Sequence, residues 1–195
     1  MLTEQRNEFE DSGWILRKVS DYSVLEVFNC GDEEQEQDLN EFFQKDVLKH
    51  KQELLSETYA LREATVGDDR PPVALISLCN DSVKKENIIE FLGFKGTKKE
   101  YPFYPAVKIA RFGIVKGLQG SGIGSHAINI IKKLFITNNR TGCRLITLDA
   151  YNAPRVISFY KKNDFEFLYD RDKTRKQRVM FYDLKRLITS SNVRT

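Results

Sequence analysis

Six residues, Gln119, Gly120, Ser121, Gly122, Ile123 and Gly124, constrain this chain more than any others. Three glycines alternate there, at the point where an extended run gives way to a helical one. Upstream, Ala106 to Val115 is rich in β-branched and apolar residues, the composition of a strand. Downstream, Ile123, Ala127, Ile130, Ile131 and Leu134 recur at helical spacing. Strand, glycine loop and helix in this order imply a parallel crossover. The free amide groups and positive dipole at the start of that helix favour an anion, and small residues let a phosphate approach.

The loop is not that of an ATP or GTP site, because Ser125 and His126 stand where a P-loop carries Lys and Ser or Thr. It is also not a dinucleotide fingerprint, which needs two residues before its last glycine where this loop has only Ile123. A turn that merely allows tight strand-to-helix packing is the alternative that the loop alone leaves open.

The rest of the chain reads as mixed strands and helices. Trp14 to Val19 forms a first strand, with Asp21 capping a short helix over Tyr22 to Phe28. From Gln35 to His50, Leu39, Phe42, Phe43, Val47 and Leu48 mark one amphipathic helix. Thr58 to Leu61 and Val73 to Cys79 form a hairpin across a turn of Gly67, Asp68, Asp69, Pro71 and Pro72. Asp81 to Pro105 is an irregular excursion with a helical turn at Ile88 to Leu92. Arg144 to Asp149 is a strand, Arg155 to Asn163 a helix, and Phe165 to Tyr169 with Val179 to Leu184 a closing strand pair. The expected fold is α/β (α+β): a twisted, mainly antiparallel sheet flanked by helices, in one domain spanning 1–195.

Composition narrows the setting. With 41% hydrophobic and 30% charged residues the chain reads as a soluble globular protein. The polar start of the sequence lacks the basic-then-apolar pattern of a signal peptide, and no apolar run approaches the roughly 20 residues of a membrane span, so a cytosolic protein is expected. Cys30, Cys79 and Cys143 are far apart, and His50 and His126 have no cysteine cluster beside them, so neither a disulfide framework nor a metal site is expected. The net charge of +3 alone does not imply nucleic acid, although base gathers in Arg171, Lys173, Arg175, Lys176 and Arg178.

The loop and its downstream context resemble the acetyl-CoA site of GNAT N-acetyltransferases. Gln119, two residues, Gly122, one residue and Gly124 match the family's loop without a gap, after a strand ending near Ile114. The stretch LDAYNAPRVISFYKKNDF, from Leu148 to Phe165, resembles the family's next strand and helix, and the likeness runs from about Ala106 to the final MFYDL. The resemblance implies acetyl-CoA as co-substrate and transfer of acetyl to a primary amine by direct attack in a ternary complex. It implies that backbone groups around Ile114 and Val115 pair with the pantetheine arm and that amides of Gly120, Gly122 and Gly124 face the diphosphate. Gln119, Ser121, Ile123 and Ser125 complete that loop, and Asn152 lies beside the cofactor. Tyr160 matches the tyrosine that can protonate the departing coenzyme A thiolate, and Phe159 is assigned to the core. Asp164 replaces the usual glycine before Phe165; Asp tolerates a left-handed backbone, so it can still end the helix.

The acceptor is less legible. The segment from Phe28 to His50, followed by Thr58 to Leu61, resembles the start of toxin-type members that acetylate the amino group of aminoacyl-tRNA, and the basic run Arg171 to Arg178 could contact RNA phosphate. A small amine, a peptide amino terminus or a protein lysine are the other acceptors, and a non-catalytic acyl-CoA-binding module is the non-enzyme alternative. Glu100, Tyr101 and Tyr104 precede the donor strand but read as loop residues, and the general base is not identified. Pairing to a homodimer is expected for this fold.

Overall fold

The strand–loop–helix unit appears at the expected place. In the computed structural model, which describes residues 8–92, 101–137 and 141–192, strand β5 (Phe103–Ile114) passes through a short 3₁₀ turn (Lys116–Leu118) into helix α4 (Ile123–Leu134). Before it come β1 (Glu8–Asp11), β2 (Trp14–Lys18), α1 (Glu34–Glu41), α2 (Val47–Gln52), β3 (Glu57–Glu63), β4 (Ala74–Lys84) and α3 (Lys85–Leu92). After it come β6 (Leu145–Tyr151), α5 (Pro154–Lys162), β7 (Glu166–Phe167), β8 (Gln177–Asp183) and α6 (Lys185–Asn192). The eight strands hydrogen-bond in the order β1-β2-β3-β4-β5-β6-β8-β7. Antiparallel ladders join β1 to β2, β2 to β3, β3 to β4, β6 to β8 and β7 to β8; β5 and β6 are parallel. That mixed, mainly antiparallel sheet flanked by helices is the expected fold.

The chain divides into two compact units. One holds the described residues up to Cys79 together with Ala110–Ile131; the other holds Asn80–Ile109 and the described residues from Lys132 onward.

In the first unit, Val19, Leu25, Phe28, Cys30, Phe42, Phe43, Val47, Ala60 and Leu75 form one buried cluster. The helix expected over Gln35 to His50 is there, but a π-helical turn, Phe42–Asp46, interrupts it between α1 and α2. The Val47 amide reaches back five residues to the Phe42 carbonyl, so Val47 continues the buried stripe. Leu48, expected on that stripe, is turned outward. Burial of Phe42 and Phe43 against the sheet offsets the poorer hydrogen bonding of the wide turn. Asp21 caps a 3₁₀ turn, Ser23–Leu25, in place of the expected longer helix, accepting the Ser23 amide at 2.9 Å.

In the second unit, Val83, Ile88, Ala106, Leu145, Leu168 and Phe181 make the core, with Phe91 edge-on to Phe181 at 5.2 Å. A bidentate Arg144–Asp183 pair, 2.6 and 2.9 Å, ties the start of β6 to the end of β8. The parallel ladder of β5 and β6 covers Ala106 to Ile109 against Leu145 to Leu148. The expected excursion is more regular than its glycines suggest: β4 runs on to Lys84 and the helical turn is the full helix α3. Gly93, Gly96 and the candidate Glu100 lie outside the described residues.

Candidate functional site

The glycine loop has a geometry that glycine alone adopts cheaply. Gly120 and Gly122 have φ of +80° and +93°, and an added Cβ at either would meet nothing within 4 Å. The requirement is therefore one of backbone conformation and not of space. Among the described residues the amides of Gly120, Gly122, Ile123 and Gly124 find no protein acceptor, while the His126 amide makes the first helical bond, to Gly122, at 3.1 Å. Four unpaired donors thus lie at or just before the positive end of a 12-residue helix. An anion fits there; a diphosphate would be cradled by these amides.

The loop is pinned from the side. Gln119 Nε2 donates to the Cys30 carbonyl at 2.5 Å and more weakly to the Ile114 carbonyl at 3.4 Å, and Ser121 Oγ donates to the Leu118 carbonyl at 2.6 Å. Lys116 pairs with Asp32. Gln119 thus holds the loop to Cys30. Val115 has both backbone groups engaged, its amide on the Val73 carbonyl at 3.0 Å and its carbonyl under the Leu118 amide at 2.8 Å. The His126 ring lies tilted against Trp14 at 5.9 Å, with Nε2 3.4 Å from the Asp11 carbonyl, a packing contact.

One residue of β5 was not singled out from the sequence. Arg111 sits with its guanidinium 5.2 Å from the centre of the Phe42 ring; Nη1 donates to the Ala110 carbonyl at 3.0 Å, and the nearest Asp38 oxygen is 4.0 Å from Nε. Among the described residues Nε is the one buried side-chain nitrogen or oxygen without a hydrogen-bond partner. The available signal was an arginine two residues before Gly113, in a strand whose other charged residue, Lys108, is paired with Asp149.

The second unit holds Tyr160 and Asn152, at opposite ends of α5. Helix α5 starts at Pro154, whose missing amide costs nothing at a helix start, and ends where Asp164 turns left-handed at φ +62°. Tyr160 is 9% exposed, packed between Phe159 at 5.0 Å and Phe165 at 5.6 Å. Burial pushes its hydroxyl well above the usual phenol range, so it is a proton donor at neutral pH and not a base. Phe159, assigned to the core, is only half-buried.

Asn152 is hydrogen-bonded within the second unit. Its Nδ2 donates to the carbonyls of Lys173 at 2.9 Å and Arg175 at 3.0 Å, and its amide to the Lys176 carbonyl at 2.9 Å. Both side-chain hydrogens are spent on the basic loop between β7 and β8. A buried pair secures the same loop: Arg178 Nε meets Asp172 Oδ1 at 3.1 Å while Oδ2 accepts the Val179 amide at 2.8 Å. Arg171, Lys173, Arg175 and Lys176 are exposed on it. Among the described residues no group of three or more His, Cys, Asp or Glu is placed to hold a metal, and no helix is long and apolar enough to cross a membrane.

No protein-family model matches the chain, and no curated protein sequence matches it. Solved structures do. A bacterial toxin aligns at TM-score 0.70 and 15% identity over 92% of this chain and 95% of its own. AtaT complexed with acetyl-methionyl-tRNAfMet aligns at TM-score 0.64 and 18% identity, over 90% and 98%. A tyrosine-to-phenylalanine variant of the AtaT toxin, bound to acetyl-CoA and the C-terminus of the antitoxin AtaR, aligns at TM-score 0.61 and 20% identity, over 90% and 96%. At these identities the likeness shows the fold, which is GNAT-like over nearly the whole chain.

Proposed function

We propose that this chain is an acetyl-CoA-dependent N-acetyltransferase whose acceptor is the amino group of an aminoacyl-tRNA. The reading is carried by the unpaired amides of Gly120, Gly122, Ile123 and Gly124 at the head of α4, in a fold shared with AtaT. Support for the acceptor comes from the neighbour solved with acetyl-methionyl-tRNAfMet and from the exposed bases of the β7–β8 loop.

Acetyl-CoA supplies an activated acetyl thioester. The four loop amides take its diphosphate, Gln119 and Ser121 keep the loop in shape, and the end of β5 at Ile114 takes the pantetheine arm. Val115 and Asn152 line the same cofactor, Val115 with its amide tied to Val73 and Asn152 through its side-chain oxygen while its Nδ2 holds the basic loop. As the amine attacks, a C–N bond forms, the C–S bond breaks and the amine sheds a proton to solvent water, from which Tyr160 is reprotonated after it has served the leaving group. Tyr160, held neutral by burial, donates its hydroxyl proton to the departing thiolate.

The test is incubation of the protein with acetyl-CoA and a pool of aminoacyl-tRNAs, followed by mass spectrometry of the aminoacyl ends. N-acetylated aminoacyl ends are expected, with a rate that falls as salt rises. Donor binding with acetylation of small amines or peptides only would remove tRNA from the reading; failure to bind acetyl-CoA would remove the acetyltransferase reading itself.

A further inference from the structure

We propose that Lys132 is a positioning residue for Tyr160, because it clamps the helix stop to which the tyrosine belongs. The inference rests on the reading of Tyr160 as proton donor to the departing thiolate and adds to it the group that holds the donor in place.

Helix α5 ends in a motif that satisfies its last carbonyls from the chain just beyond it. The Phe165 amide reaches back to the Tyr160 carbonyl at 3.0 Å, and the amide of the left-handed Asp164 to the Lys161 carbonyl at 3.0 Å. The Asn163 amide also donates to the Tyr160 carbonyl at 3.0 Å, and its Nδ2 to the Phe159 carbonyl at 2.9 Å. The Phe165 ring packs against that of Tyr160 at 5.6 Å, the apolar contact that accompanies such a stop. Tyr160 is therefore tied to the stop through its carbonyl and through its ring.

The carbonyl of Asn163 is taken by Lys132, from α4. Its Nζ donates to that oxygen at 2.7 Å and lies 3.8 Å from the centre of the Tyr182 ring and 5.7 Å from that of Phe165. Phe165 and Tyr182 pack together in turn, at 5.8 Å. One ammonium thus bonds the residue that caps α5 and faces the ring on which Tyr160 rests. Loss of that bond would reach Tyr160 through Asn163 and through Phe165.

Stability does not explain the choice of lysine here. Lys132 is 2% exposed, while the carboxylate nearest to it, Asp164 at 3.8 Å, is largely exposed, and the charge of Arg186 opposes its own. A buried ammonium so weakly compensated costs folding free energy while it is charged, and an apolar side chain of similar length would not. What the lysine adds is a directional bond to the Asn163 carbonyl, which an apolar side chain cannot make.

The test is a double-mutant cycle. Lys132→Met and Tyr160→Phe, singly and together, are compared in acetyl transfer from acetyl-CoA to the acceptor that wild type uses best, charged tRNA in the proposed reading. Lys132→Met should unfold in urea at or above the wild-type midpoint at pH 7, lower kcat about tenfold and leave the KM for acetyl-CoA within about twofold. In the Tyr160→Phe background it should lower kcat no further, because the donor that it positions is gone. Lys132→Gln, whose shorter side chain does not reach the carbonyl, takes its place in the cycle should Lys132→Met not fold. An equal loss of kcat in both backgrounds, or an unchanged kcat in Lys132→Met, overturns the inference and leaves Tyr160 in its role. Full kcat in Tyr160→Phe removes Tyr160 and this inference together while the acetyltransferase reading stands. If wild type transfers no acetyl group to any amine, that reading falls as well.

Discussion

Lys132 Nζ donates a 2.7 Å hydrogen bond to the carbonyl of Asn163, from a residue 2% exposed, and lies 3.8 Å from the centre of the Tyr182 ring. Asn163 follows the last turn of α5, so the buried ammonium satisfies a carbonyl at the negative end of the helix that carries Tyr160. Burial lowers the Lys132 pKa to about 8, against the raising effect of Asp164 at 3.8 Å.

That shift fixes a pH dependence. A lysine with a depressed folded pKa destabilises the fold most below that pKa, and the cost fades as pH rises toward the unfolded value of 10.5. Compared with Lys132→Met, wild type should gain about 3 kcal/mol of unfolding free energy between pH 8 and pH 10.5, at about 1.4 kcal/mol per unit. Paired urea melts across this range measure it. A difference independent of pH would show that the lysine is not desolvated as its surroundings imply.

The loop glycines make a second prediction. Gly120→Ala and Gly122→Ala should each cost about 1 kcal/mol of stability through the left-handed backbone, and each should weaken acetyl-CoA binding by disturbing the amide array. Gly117→Ala is the control, since Gly117 has open space around it and no positive φ. Thermal melts and titration calorimetry with acetyl-CoA separate the two effects.

Tyr160→Phe should leave folding and acetyl-CoA affinity near wild type while lowering kcat by about 100-fold, the usual size of a lost general acid. Because burial holds the hydroxyl above the ordinary phenol range, the wild-type pH–rate profile should show no loss from tyrosine ionisation up to about pH 10. A variant with full kcat would remove Tyr160 from the chemistry.

Asn152→Ala removes the cofactor contact of the side-chain oxygen together with the loop contacts of Nδ2. It should release the loop carrying Lys173 and Arg175, raise the KM for charged tRNA several-fold and weaken acetyl-CoA binding. Amide exchange across that loop should quicken. An unaltered acetyl-CoA Kd would confine Asn152 to the loop.

Local features were read correctly where the signal itself is local. Helical spacing from Ile123 to Leu134 and the alternating glycines depend on backbone geometry within a few residues, and both appear as expected in α4 and the loop before it. Asp164 at φ +62° ends α5 where the sequence expects a left-handed stop. The hairpin over residues 57–84 likewise follows from its turn residues.

What sequence could not decide was which distant groups meet. Nothing near Asn152 announces that the carbonyls of residues 173 and 175 will take its amide, because that meeting depends on β8 pairing with β6 along its whole length. Lys132 falls four residues after Ile128 on the buried face of α4, and spacing alone does not say that a carbonyl and two aromatic rings await it. Arg111 packs its guanidinium against Phe42, some seventy residues earlier, through a π turn that helical periodicity does not encode. The sequence by itself determined the strand–loop–helix unit and the helix stops, through steric and hydrogen-bonding limits that act over a few residues. The tertiary structure alone decided the burial, partners and proton affinity of the polar side chains, since these depend on surfaces brought together from far along the chain.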